Sequence, residues 1–164
     1  MASSEHSFDV VSDFDRQELV NAVEQARREI ATRYDFKDVT AEIDLQDKEI
    51  VLLAGSDGRA DAILDVLKGK LVRRNLSLKI LLPGKAEPAA KGNVRQSIKI
   101  QKGIDEDTAR DLSKRIKAGH PKVQVRIQGD ELRVVSKDKD NLQAVIHELR
   151  ELDLPVPLQF TNYR

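Results

Sequence analysis

The sequence predicts an α+β protein made of two βαββαβ units, each a four-stranded antiparallel sheet with both helices on one face. Apolar residues recur at helical spacing in four segments and at alternate positions between them. That order of elements is written twice, on either side of the interruption "PGKAEPAAKGN". Right-handed crossovers then put both helices of each unit on the same side of its sheet.

In the first half "SFDVVS" reads as a strand. From Asp15 to Tyr34 the set Leu19, Val23, Ala26, Ile30, Tyr34 steps by three and four, the stripe of an amphipathic helix with an acidic first turn. Val39, Ala41, Ile43 and Leu45 alternate with polar residues, and "EIVLLA" returns after Gln46-Asp47-Lys48, which predicts a hairpin. A helix from Asp57 follows, carrying Ile63, Leu64, Leu67 and Leu71 on one side, and "LSLKILL" closes the half as a strand. The second half repeats the order with "VRQSIKIQ", a helix from Asp105 to Ala118, "KVQVRIQ", "ELRVVS", a helix from Asp138 to Leu152, and "PLQFT". Gly129-Asp130 supplies a two-residue hairpin turn. The stretch 83–92, rich in proline, glycine and alanine, reads as a connection.

Strand alternation fixes what the outer faces carry. The second half presents Arg95, Ser97, Lys99, Lys122, Gln124, Arg126, Gln128, Glu131 and Arg133, a basic and amide-rich set. The first half presents Thr40, Glu42, Asp44, Ser77 and Lys79, with Val51 and Leu53 pointing the same way, which predicts a covered face.

Composition bounds the function. The chain has 164 residues, 40% hydrophobic and 34% charged, enough for a real core. It shows no apolar run near the roughly 18 residues of a membrane span and no leader pattern behind "MASSEHS", so a soluble cytoplasmic protein is expected. The absence of cysteine excludes disulfides, thiol nucleophiles and thiolate metal sites. Net charge is zero, yet residues 1–88 carry 13 basic and 17 acidic side chains (net −4) and residues 89–164 carry 15 and 11 (net +4). The second half is therefore the better partner for phosphates, unless the opposed charges serve to attract the two halves or to balance solubility.

Catalytic templates find no match. There is no GxxxxGK[ST] loop and no HExxH, and His6, His120 and His147 lie far apart, so neither an enzyme nor a metal site is expected. The RNA-recognition plan, an open βαββαβ sheet with stacking aromatics on its middle strands, fits the element order but not the residues: "EIVLLAG" and "ELRVVSK" carry no ring. The six aromatics fall in three pairs at element boundaries, Phe8 with Phe14, Tyr34 with Phe36, and Phe160 with Tyr163. Two readings stay open for Arg33-Tyr34-Asp35-Phe36-Lys37. Tyr34 completes its helix stripe while Phe36 plugs the corner, or the rings and charges hold a flat anionic ligand. A ring beside a guanidinium suits a guanine nucleotide, the ring for the base and the cation for phosphate.

The stretches "SFDVVSDFDRQELVNAVEQARREIATRYDFKD", "KIQKGIDEDTARDLSKRIK", "KVQVRIQGDELRVVSKDKDNLQAVIHELR" and "PLQFTNYR" resemble the YajQ family of bacterial nucleotide-binding proteins over essentially the whole chain. The resemblance implies a tandem of RNP-like, ferredoxin-like domains with exchanged first strands. One domain is then 13–101, with 94–101 as its first strand; the other is 1–12 with 102–164. It further implies a non-catalytic protein that binds a nucleotide, with cyclic di-GMP the leading ligand. Such a protein acts through a partner transcription regulator, and the alternatives within the family are GTP and tRNA. Matching the family-like motifs to that chemistry selects Arg33, Lys37, Lys102, Arg133, Lys137 and Arg164 for phosphate. Tyr34, Phe36 and Tyr163 are selected for the bases, and Asp35 or Asn162 for a guanine edge. Two rivals use other surfaces. An RNA-binding protein uses Arg95, Lys99, Lys122, Arg126 and Arg133, and a protein-interaction adaptor uses the apolar patch at Val51 and Leu53. No cofactor is expected.

Overall fold

The computed structural model describes residues 5–164. Its elements run β1 (His6–Val11), α1 (Arg16–Thr32), β2 (Ala41–Leu45), β3 (Glu49–Ala54), α2 (Asp57–Arg73), β4 (Leu81–Pro88), β5 (Val94–Ile100), α3 (Glu106–Gly119), β6 (Gln124–Gln128), β7 (Glu131–Ser136), α4 (Lys139–Glu151) and β8 (Gln159–Thr161). They form two compact units, one of Phe14–Gln101 and one joining the residues up to Asp13 with Lys102–Arg164.

Local chemistry starts each helix. Asp15, Ser56, Asp105 and Asp138 stand at the four N-caps, and their side-chain oxygens accept from the backbone N–H of Gln17, Arg59, Thr108 and Asp140. Each such cap contributes about 1 kcal/mol. Behind the caps the apolar stripes face their sheets: Leu19, Ala22, Val23, Ala26 and Ile30 on α1, and Leu142, Val145, Ile146 and Leu149 on α4.

Both sheets are antiparallel, in the orders β2-β3-β5-β4 and β6-β7-β1-β8. In each, one strand comes from the other sequence repeat. β5 lies between β3 and β4, where a βαββαβ unit carries its first strand, and β1 takes the same place between β7 and β8. The fold is thus a tandem of ferredoxin-like units with first strands exchanged. Phe8 pairs with Val134 and Val10 with Leu132, and the two buried apolar side chains of β1 enter a core otherwise built by residues beyond 103.

The exchange divides the basic face expected for RNA. Arg95 and Lys99 stand on β5, whereas Arg126 and Arg133 stand opposite one another on β6 and β7 of the other sheet. Two further expectations are corrected. The strand placed at "LSLKILL" begins only at Leu81, because Leu78–Ile80 forms a 3-10 turn capped by Ser77. The stretch 83–92 is largely strand: β4 runs to Pro88 as the outer strand beside β5, with a register shift between Pro83 and Ala86. An outer strand needs no ladder N–H on its free side, so it tolerates the prolines that make the segment look like a connection.

One glycine is fixed by packing. Gly103 has φ +85°, and a side chain there would bring Cβ within 2.9 Å of the Asp130 Cβ. Its N–H donates to the Ser12 carbonyl and the Ile104 N–H to that of Asp130, tying the start of this segment to the β6–β7 turn.

Candidate functional site

The candidate residues of the β1-containing unit gather where the chain ends. β8 pairs with β1 through Asp9 opposite Thr161 and Val10 opposite Phe160. Asn162 then turns with φ +58°, a left-handed conformation that asparagine tolerates. Beyond it the pairing resumes: the Arg164 N–H donates to the Ser7 carbonyl at 3.0 Å and the Ser7 N–H to that of Arg164 at 3.2 Å. The last residues are thereby ordered along β1, and the left-handed turn at Asn162 keeps its side chain beside Asp9 while the Tyr163 ring stands beside Phe8.

On one face Asn162 Nδ2 donates to Asp9 Oδ2 at 2.8 Å, and Arg133 Nε donates to Asp9 Oδ1 at 2.9 Å. Asp9 is only 5% exposed. The hydrogen bond from Arg133 holds its carboxyl below the usual range against the opposing effect of burial, helped by Asn162 and by the charges of Arg133 and Arg164. Arg133 and Asn162, both selected from the sequence as ligand contacts, thus have a structural employer in Asp9. The sequence reading missed Asp9, whose partner lies 124 residues away.

On the helix side the Tyr163 ring stands 6.2 Å from that of Phe8, itself in edge contact with Phe160. Tyr163 and Arg164 line a cleft of about 280 Å³ with His6, Lys139, Leu142 and Ile146. Tyr163 keeps 58% of its surface exposed above a fully buried Phe8. Lys139, the first residue of α4, adds a cation where the helix N-terminus already favours anions. It too was missed, although the Asp138 cap preceding it was the available signal. Lys137 lines a separate cleft of about 470 Å³ with Lys122, Asp138 and Asn141. Lys102 is exposed and pairs with Asp13 at 3.1 Å.

The motif Arg33-Tyr34-Asp35-Phe36-Lys37 belongs to the other unit. Helix α1 ends at Thr32, whose hydroxyl bonds back to the carbonyls of Arg28 and Glu29, and Arg33 is extended (φ −75°, ψ 136°). Tyr34–Phe36 then forms a 3-10 turn. The expectation that Tyr34 completes the helix stripe is therefore corrected: the stripe ends at Ile30, and Tyr34 is 89% exposed. Phe36 is the plug, buried in the core beneath the Arg33 guanidinium at 5.2 Å. Arg33 is bound at both edges, donating to Asp35 through Nε at 2.9 Å and Nη2 at 2.7 Å, and reaching Glu29 at 3.4 Å. Arg33 lowers the Asp35 carboxyl pKa and Asp35 raises that of Arg33, as expected of a mutual hydrogen bond. Tyr34 and Lys37 project from the corner, both exposed.

Among the described residues no group of three or more acidic, histidine or cysteine side chains converges as for a metal. No helix among them is long and apolar enough to cross a membrane.

Comparison with known proteins extends these observations. The family model described as "nucleotide-binding protein YajQ-like" matches residues 6–164. A protein of Synechococcus elongatus named a nucleotide-binding protein is 54% identical over 158 residues, covering 96% of this chain and 97% of that one. Relatives with the same designation from Picosynechococcus (51% over 162 residues, 99% of each chain) and Roseiflexus castenholzii (52% over 163 residues, 98% of this chain and 99% of the relative) agree over similar spans. With the family model spanning almost the whole sequence and such relatives matching end to end, the chain belongs to the YajQ-like family.

Proposed function

We propose that this protein binds a guanine nucleotide, cyclic di-GMP first among them, and acts as a non-catalytic effector through a partner protein that regulates transcription. The observation that carries the reading is the cleft at the chain's end, where an exposed Tyr163 ring stands beside Arg164 and Lys139. A base stacks on the ring, and the phosphate meets Lys139 at the start of α4. The cleft's volume, about 280 Å³, lies at the small end of ligand sites and suits one base with its phosphate. The other half of a cyclic dinucleotide extends beyond it. The names of the relatives support nucleotide binding and leave the choice of nucleotide to experiment.

Isothermal titration with cyclic di-GMP, GTP and a short RNA tests the reading. Saturable heat with cyclic di-GMP is expected, with affinity falling at least about tenfold in Tyr163→Ala. Absence of heat with all three, in a folded sample, overturns it. Binding confined to RNA, with a steep fall in salt, replaces it with the RNA reading.

A further inference from the structure

A strongly basic cleft lies in the unit Phe14–Gln101, bordering Arg33 of the corner motif through Glu29. It opens between α1 and the end of α2, with a volume of about 660 Å³, in the range of small-molecule sites. Four cations line it, Arg28, Lys70, Arg73 and Arg74, against two carboxylates, Glu18 and Glu29. Both carboxylates are engaged: Lys70 Nζ stands 3.0 Å from Glu29, and Arg74 Nη1 stands 3.3 Å from Glu18. The Arg28 and Arg73 side chains make no hydrogen bond or ion pair with the described residues, and both residues are exposed. The local excess is two positive charges, borne by two arginines without partners.

Basic residues in the last turn of a helix offset its macrodipole, and that accounts for Lys70 and Arg73 on α2. It accounts less well for Arg28, which lines the same cleft from just before the last turn of α1, a helix with no basic residue in that last turn. The remaining lining is Gln25, Thr32 and Asn75. Asn75, with φ +60°, extends the α2 terminus through its backbone N–H to the Val72 carbonyl, and its side-chain amide makes no hydrogen bond with the described residues. The lining contains no ring and no aliphatic side chain, so the cleft has nothing to bury an apolar group and is suited to a ligand that is polar throughout. Arginine forks grip phosphate oxygens, and amides and a hydroxyl serve sugar hydroxyls.

We infer that this cleft binds a small phosphorylated, hydroxyl-rich metabolite of the sugar-phosphate class, its dianionic phosphate held between Arg28 and Arg73. The site is independent of the one proposed for the nucleotide, and neither needs the other to be occupied.

Two-dimensional ¹H–¹⁵N spectroscopy of the full chain tests it, with ribose 5-phosphate, ribose and inorganic phosphate as probes. Ribose 5-phosphate should move the amides of residues 25–32 and 70–75 saturably, ribose should move none, and inorganic phosphate should bind more weakly. In Arg28→Gln/Arg73→Gln, both exposed positions, the spectrum elsewhere should superpose on the parent, and affinity for ribose 5-phosphate should fall at least about tenfold. The inference is overturned by the absence of saturable shifts, by shifts that survive in the double variant, or by inorganic phosphate binding as tightly as the sugar phosphate. Failure of the nucleotide reading appears separately, at residues 6–8 and 139–146.

Discussion

Two arginine–aspartate pairs, alike in chemistry, teach different things about this molecule. Arg33 and Asp35 are two residues apart on an exposed corner, doubly hydrogen-bonded at 2.7 and 2.9 Å. Arg133 and Asp9 sit on adjacent strands 124 residues apart, and the carboxylate is buried. In both, the aspartate pKa is held down by its arginine. The first pair is local and screened, so it shapes a surface. The second joins the chain's first described strand to β7 and, through Asn162, to its last residues, so it holds a sheet together.

Perturbing the sheet that holds Asp9 should have the largest effect. Phe8→Ala empties a fully buried position in the same strand and is expected to cost about 3–5 kcal/mol in urea unfolding, with the slope unchanged. Gly103→Ala, which forces a side chain against Asp130 at positive φ, should cost about 1–3 kcal/mol by the same measurement. Asp9→Asn keeps the shape but removes the charge that Arg133 and Asn162 address, and should cost about 1–2 kcal/mol at neutral pH. Because the folded-state pKa of Asp9 is lowered, its contribution is present above the unfolded value of about 4 and fades as pH falls through the folded one. The gap between parent and Asp9→Asn should therefore be constant from pH 5 to 8 and close below about pH 4. Asp35→Asn is the smallest case: the exposed pair should shift the urea midpoint by no more than the error of the measurement, and the comparison between the two pairs breaks if it shifts as much as Asp9→Asn.

Much of the fold was legible because periodicity is a local property. The four helix stripes and the alternation of β2, β6 and β7 lie where the residues put them. The misplacements share a cause as well. Tyr34 continues an i,i+4 count from Ile30, and nothing in the count reveals that the helix ends at Thr32, two residues earlier, with Arg33 as its C-cap. Pro83, Gly84 and Pro88 have the composition of a connection, and only the position of β4 at the sheet's border lets them be strand. At the site, alternation predicts that Arg133 faces outward, but not that a carboxylate opposite it consumes the guanidinium. Lys139, Arg28 and Arg73 were unremarkable helix residues until two elements came together around them. Pairings across 124 residues are set by topology, which a pattern of spacing does not encode.

The strand exchange also orders events during synthesis. Once Gln101 has left the ribosome, the unit Phe14–Gln101 has all four of its strands and both helices. β1 is made earlier than any of these, yet its neighbours β7 and β8 come last, so Phe8 and Val10 await partners for on the order of ten seconds at typical elongation rates. The nascent chain therefore carries an unpaired apolar strand ahead of an already folded body. A slowed ribosome, or a stall between residues 101 and 131, should lengthen the interval in which that strand is open to chaperones or to another nascent copy.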